Sequence, residues 1–329
     1  MEEMEFQGFQ NRTNFTVLQD AILAIRAEIG KVIVGQHQMV DLLIIGLLSE
    51  GHILVEGVPG VAKTLASKLL AQCVDAQFAR IQFTPDLMPA DVLGTSVFNP
   101  NSREFEYKKG PVFANIVLTD EINRAPAKTQ SALFEVMEEQ QVTNDGITYK
   151  IDPPFMVIAT QNPIEQEGTY RLPEAQLDRF LFKVIVQYPT AAEEVTMLQT
   201  AHREHRKGGS ALQAAKVVSG QQITDFQLQI RGVVIEDKLL HYISEIIQAT
   251  RLNSSLYMGA SPRASLAIMN CAKTVAAMKN RDFVTPDDIQ YIAPHILRHR
   301  IMLTPEREME GISPDEVIQE ILKNVEVPR

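Results

Sequence analysis

The stretch that decides the fold reads Gly57-Val58-Pro59-Gly60-Val61-Ala62-Lys63-Thr64. It follows a short apolar run over residues 53–55 and leads into a segment where leucines recur at helical spacing. A strand, a glycine-rich loop and a helix, in that order, are the context in which such a loop binds phosphate. Its glycines let backbone N–H groups turn inward at the N-terminus of the helix. The stretch therefore predicts a phosphate-binding loop.

The residue types in this loop indicate a nucleotide triphosphate, ATP, as the ligand. Lys63 can place a positive charge at the β and γ phosphates, and Thr64 can bind Mg²⁺. Leu65 completes the predicted nucleotide-binding set. Ala62 stands where the motif has its second glycine, which is tolerable if this residue is already helical. The alternative is an ordinary turn into a helix, but a lysine in the first turn would then oppose the helix dipole for no gain.

Two acidic residues follow a second apolar run, residues 116–119. Asp120 and Glu121 then stand at the carboxyl end of a strand, where open parallel sheets place their ligands. We expect Asp120 to hold Mg²⁺ through its water shell and Glu121 to orient the attacking water as a base. A strand that ends in two acids without any function is the alternative, and the loop upstream argues against it.

The first half of the chain has the pattern of an α/β fold. Several short apolar runs are separated by helical segments, as in a parallel sheet covered by helices on both faces. Two further segments, residues 96–107 and 142–149, have the pattern of hairpins that lie outside the sheet. The predicted strands of the sheet are residues 53–55, 79–83, 116–119, 155–159 and 182–186.

The second half has a different pattern. Beyond residue 189 the strand signal fades, and Ser261, Thr285 and Ser313 each precede a proline as helix N-caps do. We predict an α/β nucleotide-binding domain over about residues 13–190 and an all-α domain over residues 191–329.

Composition narrows the class of protein. The net charge is −10, which argues against broad adhesion to nucleic acid or anionic lipid. The N-terminus is acidic where a secretory signal is basic, and no apolar run is long enough to cross a bilayer. The two cysteines have no metal-type spacing. We therefore expect a cytoplasmic protein without membrane insertion.

The phosphate loop and the acid pair resemble those of the AAA+ ATPases, and the sequence around them is similar to that of the MoxR family. The resemblance covers about residues 30–265. Ala62 is familiar in MoxR proteins, so the alanine fits the resemblance. The matching blocks are residues 34–36, 57–64, 118–126, 159–163, 172–180 and 259–263.

The resemblance implies roles for residues outside the loop. Val34 would lie near the adenine, Asn162 would align the attacking water between the acids and the γ phosphate, and Arg263 would sense the γ phosphate from the helical domain. Alternatives exist: Asn162 precedes a proline, as in ordinary turns, and Arg263 could be a solvated surface residue. However, Arg263 falls in the first turn of a helix, a poor place for a cation unless an anion is near.

Arg179 matches the arginine finger, a cation that enters the active site of the neighbouring subunit. An ion pair with Asp178 or Glu174 is the alternative reading of this residue. Arg171 and Arg124 are weaker candidates for the same role.

By the same resemblance the chain forms a ring, as a hexamer, and remodels, activates or assists metal insertion into a client protein. A partner with a von Willebrand type A domain is typical of the family. The alternative is a motor that translocates nucleic acid, whose hairpins should be basic. Residues 101–110 and 141–152 instead mix acids and bases, so neither hairpin offers a phosphate-binding run. A third alternative, a nucleotide-gated scaffold with little turnover, is disfavoured by the intact acid pair.

Overall fold

The computed structural model describes residues 14–162, 172–206 and 213–328. In chain order its strands are β1 (Ile53–Gly57), β2 (Phe78–Gln82), β3 (Gly94–Asn99), β4 (Glu104–Lys109), β5 (Ile116–Asp120), β6 (Gln141–Asn144), β7 (Ile147–Lys150), β8 (Met156–Gln161), β9 (Phe182–Val186), β10 (Leu256–Met258) and β11 (Met302–Leu303).

The helices alternate with these strands in the first half and dominate the second. They are α1 (Thr16–Gly30), α2 (His37–Leu48), α3 (Lys63–Cys73), α4 (Pro89–Leu93), α5 (Ala127–Glu139), α6 (Glu174–Leu177), α7 (Ala191–Arg206), α8 (Gly220–Arg231), α9 (Asp237–Leu252), α10 (Pro262–Met278), α11 (Pro286–Leu297), α12 (Pro305–Met309) and α13 (Pro314–Asn324).

One five-stranded sheet organises the first half, with strand order β2-β5-β8-β1-β9. Every neighbouring pair in it runs parallel. The predicted parallel sheet between helices is therefore confirmed. Because all strands point the same way, their carboxyl ends, and the residues that follow them, meet at one edge of the sheet.

The central strands β5, β8 and β1 are buried on both faces, which explains why they are largely apolar. Along β1, Ile53 and Val55 pack with α1, α2 and α3, whereas Leu54 packs with α5 on the other face. This alternation follows from the two-residue period of a strand. Helices of the second half, among them α8 to α11 and α13, share the cluster that contains Ile53. Of these helices, α8 and α10 pack on α2, and α11 contacts β9.

The two predicted hairpins form as separate two-stranded sheets, β3-β4 and β6-β7. They contact each other: Tyr107 stacks on Tyr149 with ring centroids 4.5 Å apart, and Ser96 donates a hydrogen bond to Asp145 at 2.5 Å. Both hairpins thus form one projection beside the sheet.

The second half is helical apart from the short antiparallel pair β10-β11. Its predicted start signals are confirmed: Ser261, Thr285 and Ser313 are the N-caps of α10, α11 and α13. Thr285 and Ser313 form capping boxes with an acid three residues on, which satisfies backbone N–H groups at each helix start. Within the described ranges, no helix combines the length and the apolar character needed to span a membrane.

Candidate active site

The phosphate-loop residues connect β1 to α3 at the carboxyl edge of the sheet. Gly57 ends β1, where a Cβ atom would lie 2.8 Å from the carbonyl oxygen of Val186 on β9. A side chain at this position would separate the two strands. Gly60 has φ +88°, a left-handed conformation that glycine adopts without steric cost. Between them lie Val58 and Pro59, and Val61 is buried against the core.

Ala62 departs from the expectation that it would be helical. It is the N-cap of α3 and has φ +62° and ψ +19°, the left-handed region. The second glycine of the motif is thus replaced by a residue that pays a steric penalty there, on the order of 1 kcal/mol. The helix begins one residue later, at Lys63.

Lys63 lies within the loop rather than in solvent. Its Nζ donates a hydrogen bond to the carbonyl oxygen of Gly57 at 2.5 Å, so the side chain curls back over the loop. Burial lowers the pKa of Lys63, and the nearby carboxylates of Asp120, Glu121 and Glu56 oppose that shift. A cation so placed, close to carboxylates and inward-facing amides, is positioned to meet phosphate oxygens.

The acid pair stands where the sequence predicts, at the end of β5. Thr64 Oγ1 lies 3.5 Å from Asp120 Oδ2, which brings loop and acid together. The buried Thr160, on the neighbouring strand β8, donates to Asp120 Oδ1 at 2.5 Å and accepts the backbone N–H of Glu121 at 3.0 Å. Glu121 itself has φ +57°. Thr160 therefore fixes the turn that presents both carboxylates, a role the sequence analysis missed.

Two polar residues of β2 complete a hydrogen-bonded chain across the acids. Arg80 contacts Asp120 Oδ2 through Nε at 3.0 Å and Nη2 at 2.7 Å, and Nη2 also donates to Gln82 at 3.0 Å. Gln82 in turn donates to Glu121 Oε2 at 2.9 Å. Arg124 contacts the same oxygen at 3.1 Å. The only sequence signal for Arg80 and Gln82 is their i, i+2 spacing, which places them on one face of the strand.

Asn162 directly follows β8, and its side chain is buried. Because β8 lies between β5 and β1, Asn162 stands between the acid pair and the phosphate loop at the carboxyl edge. Val34 lies in the turn between α1 and α2. In the same turn, Gln36 Nε2 donates to the carbonyl oxygen of Gln187, directly after β9, at 2.9 Å. Arg171 lies outside the described residues.

Arg179 and Arg263 do not lie near the phosphate loop and the acid pair. Both instead form ion pairs with the same carboxylate. Arg179 Nη1 contacts Glu138 Oε2, and Arg263 Nη2 donates to Glu138 Oε1 at 3.0 Å. The alternative reading of Arg179 as an ion-paired residue is right about the ion pair and wrong about the partner. The partner is Glu138, whereas Asp178 pairs with the buried Arg300 at 2.7 Å.

This cluster lies at the opposite edge of the sheet from the phosphate loop. Glu138 is near the C-terminus of α5, and the carbonyl oxygen of the preceding Met137 is 2.9 Å from Nε2 of His52, which comes just before β1. Arg179 likewise precedes β9. The length of β1, about 17 Å, separates the two edges. Arg263 is thus not brought to the phosphate loop of its own chain.

Fold and site together define a class of nucleotide-binding protein, and comparison with known families agrees. The model of the ATPase family associated with various cellular activities (AAA) matches residues 52–182, and that of the AAA lid domain matches residues 248–321. The chain is an AAA ATPase followed by a helical lid region.

Relatives narrow the class further. Chaperone MoxR1 of Mycobacterium tuberculosis is 45% identical over 92% of this chain and 81% of its own length. An uncharacterised Bacillus subtilis protein, YeaC, is 48% identical over 91% of this chain and 92% of its own length. The crystal structure of a putative ATPase from Cytophaga hutchinsonii matches with a TM-score of 0.88 and 44% identity, covering 96% of this chain and 97% of that one. The chain belongs to the MoxR family of AAA+ ATPases.

Proposed function

We propose that this chain is a magnesium-dependent ATPase that assembles into a ring, as a hexamer, and uses hydrolysis to remodel a client protein. One observation carries the proposal. The phosphate loop and acids lie at one edge of the sheet, and Arg179 with Arg263 lies at the other. If the arginine edge of one copy contacts the phosphate-loop edge of the next, the arginines of the first copy lie at the phosphates that the second copy binds. Such a heterologous contact, repeated around an axis, forms a ring when the rotation between neighbouring copies closes.

Each residue of the site then has a role in ATP hydrolysis. Lys63 and the loop amides bind the phosphates, and Asn162 orients the water that Glu121 deprotonates. Arg179 of the neighbour stabilises the charge that gathers on the γ phosphate, and Arg263 joins it from the lid.

The residues present fit Mg²⁺. Thr64 and Asp120 supply oxygen atoms, the ligands that Mg²⁺ prefers. The Asp120 carboxylate already attracts a cation, the guanidinium of Arg80. Mg²⁺, when bound, would neutralise part of the phosphate charge.

The projection formed by the two hairpins is the surface we assign to the client. Phe98 and Phe105 pair edge to face at 5.4 Å, yet are 50% and 72% exposed. Ile147 on the second hairpin is also exposed, at 57%. Large apolar side chains grouped in solvent favour contact with another protein. Family resemblance further supports activation or metal insertion as the outcome, a partner with a von Willebrand type A domain, and a cytoplasmic location.

Lys63→Ala should weaken ATP binding by about 10- to 100-fold, because within the phosphate loop only neutral amide dipoles would then hold the phosphates. Isothermal titration calorimetry with ATP measures this directly. Lys68→Ala is the matched control: this lysine is exposed on the same helix and should leave affinity unchanged. An unaltered affinity in the Lys63 variant would remove the loop from nucleotide binding.

DNA, single- or double-stranded, should stimulate ATP turnover by less than about twofold at physiological salt, since the chain is acidic and its hairpins carry mixed charge. A coupled ATPase assay with and without DNA measures this. Strong stimulation that falls steeply with salt would instead support the nucleic-acid motor.

A further inference from the structure

A single carboxylate, that of Glu138, joins the two arginines. Its Oε2 contacts Arg179 and its Oε1 contacts Arg263, so each oxygen serves one guanidinium. The arginines come from different elements: Arg179 precedes β9 in the sheet, whereas Arg263 is in the first turn of the lid helix α10. Glu138 therefore connects the α/β half to the lid region at the edge opposite the phosphate loop.

We propose that Glu138 is a positioning residue that holds Arg179 and Arg263 together as one two-armed receptor for the phosphates of a neighbouring copy. The inference rests on the proposed function, in which both arginines act across a subunit contact. Two guanidinium groups that share one small carboxylate lie close together, and their like charges repel. A carboxylate between them offsets that repulsion and gives each guanidinium a charge-assisted hydrogen bond.

The geometry indicates that Glu138 holds the two arginines in place without preventing them from binding phosphate. Among the described residues, Arg179 uses only Nη1, for Glu138 and for the carbonyl oxygen of Phe134 at 3.2 Å, and Arg263 uses only Nη2. A guanidinium has five N–H donors, so each arginine keeps others for a phosphate while still bonded to Glu138.

Its two ion pairs distinguish Glu138 from the other acids at the end of α5. Glu135 and Glu139 line the same surface cavity, yet neither forms an ion pair within the described part of the chain. They provide matched controls on one helix.

Glu138→Gln should lower kcat for ATP by about tenfold and change KM less than twofold, because guanidiniums displaced by even 1 Å lose much of their effect on the transition state. Glu139→Gln should leave both constants unchanged. Light scattering and thermal melting should show normal assembly and stability, since the pair is at the surface. A wild-type kcat in Glu138→Gln, or a loss of kcat explained by failed assembly, would overturn the proposal.

A double-mutant cycle gives a second test. In an Arg263→Ala background only one guanidinium remains, so there is no repulsion left to offset. Glu138→Gln should then lower kcat by a clearly smaller factor than it does in the unmodified chain. An equal factor in both backgrounds would show that Glu138 does not act through the pair.

Mixing experiments assign the side of the subunit contact on which Glu138 acts. Glu138→Gln mixed with Glu121→Gln should regain activity, because an intact base can face an intact arginine pair. Glu138→Gln mixed with Arg179→Ala should regain none, since both lesions lie on the arginine side. The mixture of Arg179→Ala with Glu121→Gln serves as the reference. If it regains activity and the mixture of Glu138→Gln with Arg179→Ala does so too, only the assignment of Glu138 is wrong. If Arg179→Ala with Glu121→Gln regains nothing, the action of the arginines across the contact is itself wrong, and this proposal with it.

Discussion

Replacing Glu121 with glutamine should lower ATP hydrolysis by about 10²- to 10⁴-fold and leave ATP binding close to normal. Glutamine has the size of glutamate but cannot take a proton from water. The phosphate-binding groups, Lys63 and the loop amides, are unaffected by this exchange. ATP should therefore bind and persist.

The surroundings of Glu121 support this separation of binding from chemistry. Its backbone is fixed by the hydrogen bond to Thr160, and its Oε2 accepts from Gln82 at 2.9 Å. A carboxamide oxygen can accept the same hydrogen bond, so the side chain of the variant should keep its place. The loss of activity would then report the missing base rather than a displaced loop.

Single-turnover hydrolysis and ATP titration of Glu121→Gln measure the two effects separately, with Glu139→Gln as the control. Turnover above a tenth of the normal rate would show that another group activates the water. Because the variant should remain in its ATP state, it is also the bait of choice for isolating the proposed client or partner protein.

The sequence predicted those features of the fold and the site that are determined by a short stretch of consecutive residues. The phosphate loop, the acid pair and the five sheet strands each depend on a few consecutive residues whose spacing reflects their own backbone. The boundary near residue 190 stays a prediction. Ala62 shows the limit of local pattern: whether an alanine before the helix is helical or left-handed depends on the turn of the whole loop.

Contacts between strands and between domains could not be predicted in the same way. Arg80 and Gln82 meet the acids only because β2 lies beside β5, and Thr160 meets them only because β8 lies on the other side. The sharing of Glu138 by Arg179 and Arg263 depends further on how the lid region packs on the sheet. Such neighbours are far apart in the chain, so no spacing in the sequence indicates that they contact each other.

Arg179→Ala should bind ATP almost normally and hydrolyse it about 10³-fold more slowly. Negative charge gathers on the γ oxygens and the bridging oxygen during phosphoryl transfer, and a guanidinium there is worth that much in rate. Lys63 acts from within the subunit. Arg179 is a strand's length away from the phosphate loop of its own chain, so its charge should matter only where subunits meet.

Mixing two inactive variants distinguishes action across the contact from action within a subunit. Glu121→Gln keeps the arginine but lacks the base, and Arg179→Ala keeps the base but lacks the arginine. In the proposed ring, mixed assemblies contain some contacts where an intact base faces an intact arginine, so their activity should exceed that of either variant alone. If light scattering confirms mixed assembly and activity does not return, Arg179 acts within its own subunit or only stabilises the fold. Arg171 and Arg124 would then be tested in its place, with Arg171 first, because Arg124 already contacts Glu121 of its own chain.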